Sequence, residues 1–277
     1  MVARPELGAS LAYIELGSPD PLVLAKFYEK AFSAAVSPAG TSYVCRGPDR
    51  CVVISPGAPK TLLSAGYKLK DKAALDALEA RIRSHGVPVD RTSSLVFEDA
   101  VAVRDPSGNH IFFGLPRNVT PHVEGLSGRI QHVVVASTDC EGMIEFYSKV
   151  IGLIVSDRVH DKDGVLKTAF LRTDHEHHAF AVFQAGENRF DHHCYEADDW
   201  NAIRDWGDHF ASFRIPVKWG PGRHGPGNNL FLFVHDPDGN WVEISAEIEV
   251  TQPDRPMGVW PHEEYTLNSW GSAPLRS

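Results

Sequence analysis

Two short motifs occur twice in this chain, in the same order. Asp105-Pro106-Ser107-Gly108-Asn109 returns as Asp236-Pro237-Asp238-Gly239-Asn240, 131 residues later. Phe27-Tyr28-Glu29-Lys30 returns as Phe146-Tyr147-Ser148-Lys149, 119 residues later. A period of this kind means that one unit was copied, so the fold must be a repeated one. The pattern around each motif supplies the unit. Leu11-Ala12-Tyr13-Ile14-Glu15-Leu16 alternates like a half-buried strand. Asp20 can cap a helix that has Pro21 in its first turn. Short β-type runs follow near 42–46, 51–55 and 62–69. Asp71 caps a second helix with Ala74, Leu75, Leu78 and Ile82 at helical spacing. Strands at 95–103 and 110–115 flank the first Asp-Pro turn.

The order repeats from residue 130: a strand, then a helix capped by Thr138 or Asp139 and carrying Phe146 to Leu153. Strands follow near 153–158, 166–172, 179–183 and 192–197, then a helix from Asp198, and strands at 229–234 and 240–246. The expected class is α+β, with four βαβββ modules paired into two domains. The N-terminal domain is expected over 1–118, a linker over 119–128, a second domain over 129–250 and a tail over 251–277. The tail reads as too irregular for a core element and suits wrapping the second domain or covering a site.

The 277 residues carry a formal charge of −9 and no basic run, which argues against nucleic acid as a partner. No apolar stretch approaches a membrane span, and the first residues lack the apolar core of a secretory signal. Cys45, Cys51, Cys140 and Cys194 show no Cys-x-x-Cys spacing, so a reducing cytoplasm is expected. Twelve of the fourteen histidines lie from His122 onward, which places the chemistry in the second half.

Three strands there carry polar groups among apolar neighbours. His132 lies in Arg129 to Ala136, His193 in Asp191 to Ala197, and Glu243 in Asn240 to Ser245. A buried glutamate is rare unless paired or bound to metal. Two imidazoles and one carboxylate suit a non-haem Fe(II) centre with open positions. His192, beside His193, points to the opposite strand face, and matching by the repeat selects His193. In the first domain the matched positions are Tyr13, Ala65 and Phe112, which cannot form such a ligand set. The metal is therefore expected in the second domain alone.

At these residues the chain resembles the vicinal oxygen chelate superfamily, and within it the two-domain type I extradiol ring-cleaving dioxygenases. The resemblance rests on Phe146 to Leu153, on Gly220-Pro221-Gly222-Arg223-His224-Gly225, on Asn228 to Phe233, and on the second Asp-Pro turn leading to Glu243. The tail motifs Val259-Trp260-Pro261 and Thr266 to Gly271 are similar to a tail found in part of that family. The resemblance implies the glyoxalase/bleomycin-resistance/dihydroxybiphenyl dioxygenase-like fold. It also implies Fe(II), less often Mn(II), with O2 as cosubstrate and a small catecholic aromatic as substrate, giving a muconic semialdehyde-type product. A homo-oligomer is implied as well.

By the same resemblance His178 stabilises bound oxygen and moves a proton, and His224 hydrogen-bonds the substrate's metal-bound oxygen. One departure stands out. The family's tyrosine ten residues before the glutamate is Phe233 here, and a phenyl ring cannot donate a hydrogen bond. Tyr195 is a candidate to supply the hydroxyl. Two alternatives stand beside ring cleavage. One is another metal-dependent reaction of the superfamily, such as that of an isomerase, lyase or transferase. The other is a non-catalytic protein that binds an aromatic ligand.

Overall fold

The computed structural model describes residues 6–118, 124–252 and 254–275. Residues 1–5, 119–123 of the expected linker, and 253 and 276–277 of the expected tail lie outside the described residues. The first half forms β1 (Ser10–Ser18), α1 (Pro21–Ala31), β2 (Ala35–Ala39), β3 (Ser42–Gly47) and β4 (Arg50–Pro56). It continues with β5 (Thr61–Lys68), α2 (Lys72–Ser84), β6 (Asp90–Thr92), β7 (Phe97–Arg104) and β8 (His110–Pro116). The second half repeats that order with β9 (Arg129–Ser137), α3 (Cys140–Glu145), β10 (Ile154–His160), β11 (Leu166–Arg172) and β12 (Phe180–Gln184). Then come β13 (Arg189–Ala197), α4 (Trp200–Ser212), β14 (Trp219–Arg223), β15 (Leu230–His235) and β16 (Trp241–Ala246). Four βαβββ modules result, as the repeat requires.

Each half is one sheet. The first has the order β2-β3-β4-β1-β5-β8-β7-β6, so two modules join where β1 and β5 pair antiparallel. The second has the order β14-β15-β16-β13-β9-β12-β11-β10, joined at the antiparallel pair β9 and β13. Its outer edge gains β17 (Gly258–Pro261), parallel to β10. The tail is thus more regular than its composition suggests, and it carries a short helix α5 (Glu264–Leu267). Among the described residues no helix is long and apolar enough to cross a membrane.

Local chemistry explains the helix starts. Asp20, Asp71, Asp139 and Asp199 each accept a bond from a backbone N–H in the first turn of α1, α2, α3 and α4. For α4 the cap is Asp199, one residue later than the sequence reading placed the start. The run expected as one helix through Leu153 is instead α3 followed by a π-helical turn over Phe146–Ile151. Gly152 ends it with φ of 107°, and its N–H bonds the carbonyl of Tyr147 at 2.9 Å.

The repeated motifs lock the two halves together. Tyr147 of the π turn donates its hydroxyl to Asp105 Oδ2 at 3.0 Å, in the first Asp-Pro turn. Reciprocally, Tyr28 of α1 donates to Asp236 Oδ2 at 3.4 Å, in the second. In each turn the aspartate's other oxygen accepts two backbone N–H groups, which holds the loop tight. Arg50 adds a third tie, since its guanidinium donates to the carbonyls of Phe32, Leu126 and Gly128. The apolar core runs without a break through both halves.

Candidate metal centre

The site is built on one row of side chains. In β9, β13, β16 and β15 the Cα partners run His132, Cys194, Glu243 and Phe233. Residues two apart on a strand share a face. His192 therefore lies on the same face as Cys194, and His193 on the other.

The distances follow. His132 Nε2 is 3.1 Å and His192 Nε2 3.2 Å from the same Glu243 oxygen, Oε2. Glu243 Oε1 lies 3.5 Å from His224 Nε2 and 3.4 Å from the Asn229 amide. The His178 ring is 4.4 Å from that of His132, centroid to centroid. His132, His178, His192, His224, Glu243 and Phe233 all line one cavity. Its other walls include Val134, Phe170, Phe183 and Trp219, with Thr266, Leu267 and Pro274 contributed from the tail.

Two of the residues read from sequence lie elsewhere. His193 faces the core, where its ring packs against Tyr28, Phe190 and Tyr195, and neither nitrogen has a hydrogen-bond partner among the described residues. Burial, with smaller contributions from His192 and His132, lowers its pKa to about 3, so it is a neutral core ring. The expectation that His193 is the second histidine of the centre is corrected to His192. Tyr195 shares that inward face, packed against Phe32 and under the Arg50 guanidinium. Its hydroxyl does not reach the cavity, so it does not replace the one absent from Phe233.

The local signal that separates His192 from His193 is the residue before it. Gln131 and Asp191 both fall at register shifts in the β9–β13 ladder. A bulge re-aims a side chain, and each of these reaches the histidine that follows. Gln131 Oε1 meets His132 Nδ1 at 2.5 Å, and its amide nitrogen donates to the His178 carbonyl at 2.6 Å, which settles its orientation. Asp191 Oδ1 meets His192 Nδ1 at 2.7 Å. Neither oxygen can donate, so both histidines carry hydrogen on Nδ1 and, as neutral rings, turn a lone pair on Nε2 toward Glu243. His224 is held alike, Nδ1 on the Leu267 carbonyl at 2.5 Å.

His132 Nε2 and His192 Nε2 each lie within 3.2 Å of Glu243 Oε2, and with lone pairs on both rings that contact calls for a cation beside the carboxylate. That geometry fits a divalent metal on a two-histidine, one-carboxylate face. The electrostatics agree. The Glu243 pKa is held well below the usual range: burial raises it, and protons on the facing nitrogens of His132, His192 and His224 lower it more, a charge that a cation supplies when the rings are neutral. Burial lowers that of His132, keeping it neutral. For His192 burial lowers the pKa, but Asp191 and Glu243 outweigh it and the net shift is upward. A proton there competes with metal. The Cys194 sulfur also lies within 4.8 Å of the His132 and Glu243 donor atoms. Burial, then the Glu243 charge, push its thiol far up, so it stays protonated and is the poorer donor.

The first sheet lacks such a site for a visible reason. The positions matching His132, His192 and Glu243 are Tyr13, Ser64 and Phe112. Where Cys194 stands in the second sheet, Gly66 lies opposite Tyr13. A Cβ there would come within 2.1 Å of the Tyr13 ring, so the glycine lets that ring, with Phe97 and Phe112, fill the space.

Residues 129–244 match the Glyoxalase/Bleomycin resistance protein/Dioxygenase superfamily. Metapyrocatechase 2 of Cupriavidus necator is 28% identical over 151 residues, 53% of this chain and 45% of that protein. The chain thus aligns with less than half the length of that relative. Biphenyl-2,3-diol 1,2-dioxygenase of Pseudomonas sp. strain KKS102 is 26% identical over 87% of this chain and 89% of its own. The crystal structure of homoprotocatechuate 2,3-dioxygenase from Arthrobacter globiformis superposes with a TM-score of 0.84 at 24% identity. That match covers 98% of this chain and 90% of the other, and it speaks for the fold. Over residues 129–244 the chain thus matches the Glyoxalase/Bleomycin resistance protein/Dioxygenase superfamily, and it is similar to proteins named as catechol-type dioxygenases.

Proposed function

We propose that this protein cleaves the ring of a catechol with O2 at a non-haem Fe(II) centre held by His132, His192 and Glu243. The observation that carries the reading is the convergence of these three donors with His178 and His224 in one apolar-walled cavity. When bound, the metal supplies a Lewis acid that gathers catechol and O2 and passes charge between them. Mn(II) is the alternative ion.

The chain's own groups do the rest. Phe170, Phe183, Phe233 and Trp219 offer flat faces to an aromatic ring and exclude water. His224, locked through Nδ1, presents Nε2 beside Glu243 as a hydrogen-bonding partner for a substrate oxygen. His178 is the proton carrier. No tyrosine is among the residues lining the cavity, so proton transfer falls on the two histidines. The tail, through Thr266, Leu267 and Pro274, acts as a cover. Residues 129–250 form the metal-binding domain, 1–118 its metal-free repeat, and the chain works as a homo-oligomer.

The test is anaerobic Fe(II) loading followed by oxygen uptake with a panel of catechols. Uptake of one O2 per catechol with a new yellow product supports the reading. Tight catechol binding without uptake points instead to a ligand-binding protein, an outcome consistent with Phe233.

A further inference from the structure

Asp157, on β10, is fully buried outside the cavity, and the chemistry above does not use it. A buried carboxylate needs partners, and most of its partners come from the tail. Oδ1 accepts from Arg255 at 2.8 Å and from the backbone N–H of Gly258 at 3.1 Å. Oδ2 accepts from the Trp260 indole at 2.7 Å. Oδ2 also stands 2.9 Å from His177 Nε2, off the axis of the ring N–H. His177 is equally buried, and its Nδ1 meets His178 Nδ1 at 3.0 Å, the rings nearly perpendicular at 87°. His178 then borders the cavity.

A contact between two Nδ1 atoms allows one donor and one acceptor. An ionised Asp157 oxygen 2.9 Å away repels a lone pair on His177 Nε2, so a neutral His177 carries its hydrogen there and presents Nδ1 as the acceptor. His178 must therefore carry its hydrogen on Nδ1, and its other nitrogen, Nε2, keeps a lone pair. We propose that Asp157 and His177 are positioning residues that hold His178 in the Nδ1–H tautomer, and that Arg255 and β17 hold Asp157 in place. His178 Nε2 is thereby ready to take a proton: a substrate O–H bond breaks, and an N–H bond forms at Nε2. The role of His178 rests on the ring-cleavage reading, but its tautomer does not.

Nuclear magnetic resonance of the whole metal-free 277-residue chain labelled with 15N-histidine reads that tautomer directly, with His178 assigned by loss of its signals in His178→Asn. The expected wild-type state is hydrogen on Nδ1. In Asp157→Asn and in His177→Phe the population shifts toward Nε2–H. After iron loading, kcat on catechol falls about tenfold or more while KM changes less than about twofold, and Asp157→Glu recovers part of the loss. A wild-type His178 with hydrogen on Nε2, or a tautomer unchanged in the variants, overturns the proposal. If Asp157→Asn does not fold, His177→Phe makes the same comparison with the Asp157–Arg255 pair intact. If the wild type consumes no oxygen with any catechol, ring cleavage fails, and the tautomer still decides this inference.

Discussion

His192 Nε2 stands 3.2 Å from Glu243 Oε2, while His193, the next residue, packs its ring on Tyr28 with centroids 6.2 Å apart. Adjacent histidines on one strand thus divide between a metal site and a core. His132→Ala, His192→Ala and Glu243→Ala are each expected to lose stoichiometric iron by elemental analysis. His193→Ala keeps its iron but loses about 1–3 kcal/mol of stability in urea unfolding. Iron loss in His193→Ala with retention in His192→Ala would reverse the assignment.

Asp191 orients His192 from a bulge, Oδ1 to Nδ1 at 2.7 Å. Outer partners of metal-bound histidines typically affect affinity by about 10–100-fold. Asp191→Ala is expected to weaken metal binding by that factor in chelator competition, with the fold unchanged by circular dichroism.

Phe233 lies opposite Glu243 in the ladder, with its ring edge-on to His192 at 5.2 Å. Phe233→Tyr adds a hydroxyl to a cavity lined by none from tyrosine. Turnover of catechol is expected to rise by about tenfold, within the reach of one added proton-transfer group. Unchanged oxygen uptake would show that His178 and His224 already suffice.

Burial, partly offset by bonds from Ser245 and the Ile248 N–H, raises the Glu196 pKa from 4.5 to about 7. Between those values the folded state binds the proton more tightly than the unfolded one. Its contribution is therefore fully present below pH 4.5 and is lost as pH rises through 7. Glu196→Gln keeps an acceptor for Ile248 and removes the charge. It is expected to be more stable than wild type at pH 8, by about 3 kcal/mol, with the gap closing toward pH 4.5. Parallel stability curves across that window would refute the linkage.

The reciprocal clasps differ in length, 3.0 Å for Tyr147 on Asp105 and 3.4 Å for Tyr28 on Asp236. Removing a hydroxyl bonded to a buried carboxylate costs about 1–3 kcal/mol. Tyr147→Phe is expected to lie in that range and Tyr28→Phe below it, both read from urea midpoints. Equal losses would mean that the longer contact is as strong as the shorter.

Much was legible in the sequence because its signals are local. Period-two runs, the capping residues Asp20 and Asp71, and two recurring motifs define four modules without any tertiary information. His132 and Glu243, polar residues within apolar strands, mark the site's strands for the same reason. What only the tertiary structure decided was which neighbours meet. Register is a property of two strands at once, and the shifts at Gln131 and Asp191 put His192 on the face of Glu243 and sent His193 and Tyr195 into the core. The recurring tyrosines and aspartates could be counted in the sequence, but each pair joins across the two halves, a contact between residues 42 positions apart in one case and 208 in the other. The link from Asp157 through His177 to His178 likewise depends on a tail strand pairing beside β10. Strand pairing and side-chain packing bring distant segments together at distances that no local pattern encodes.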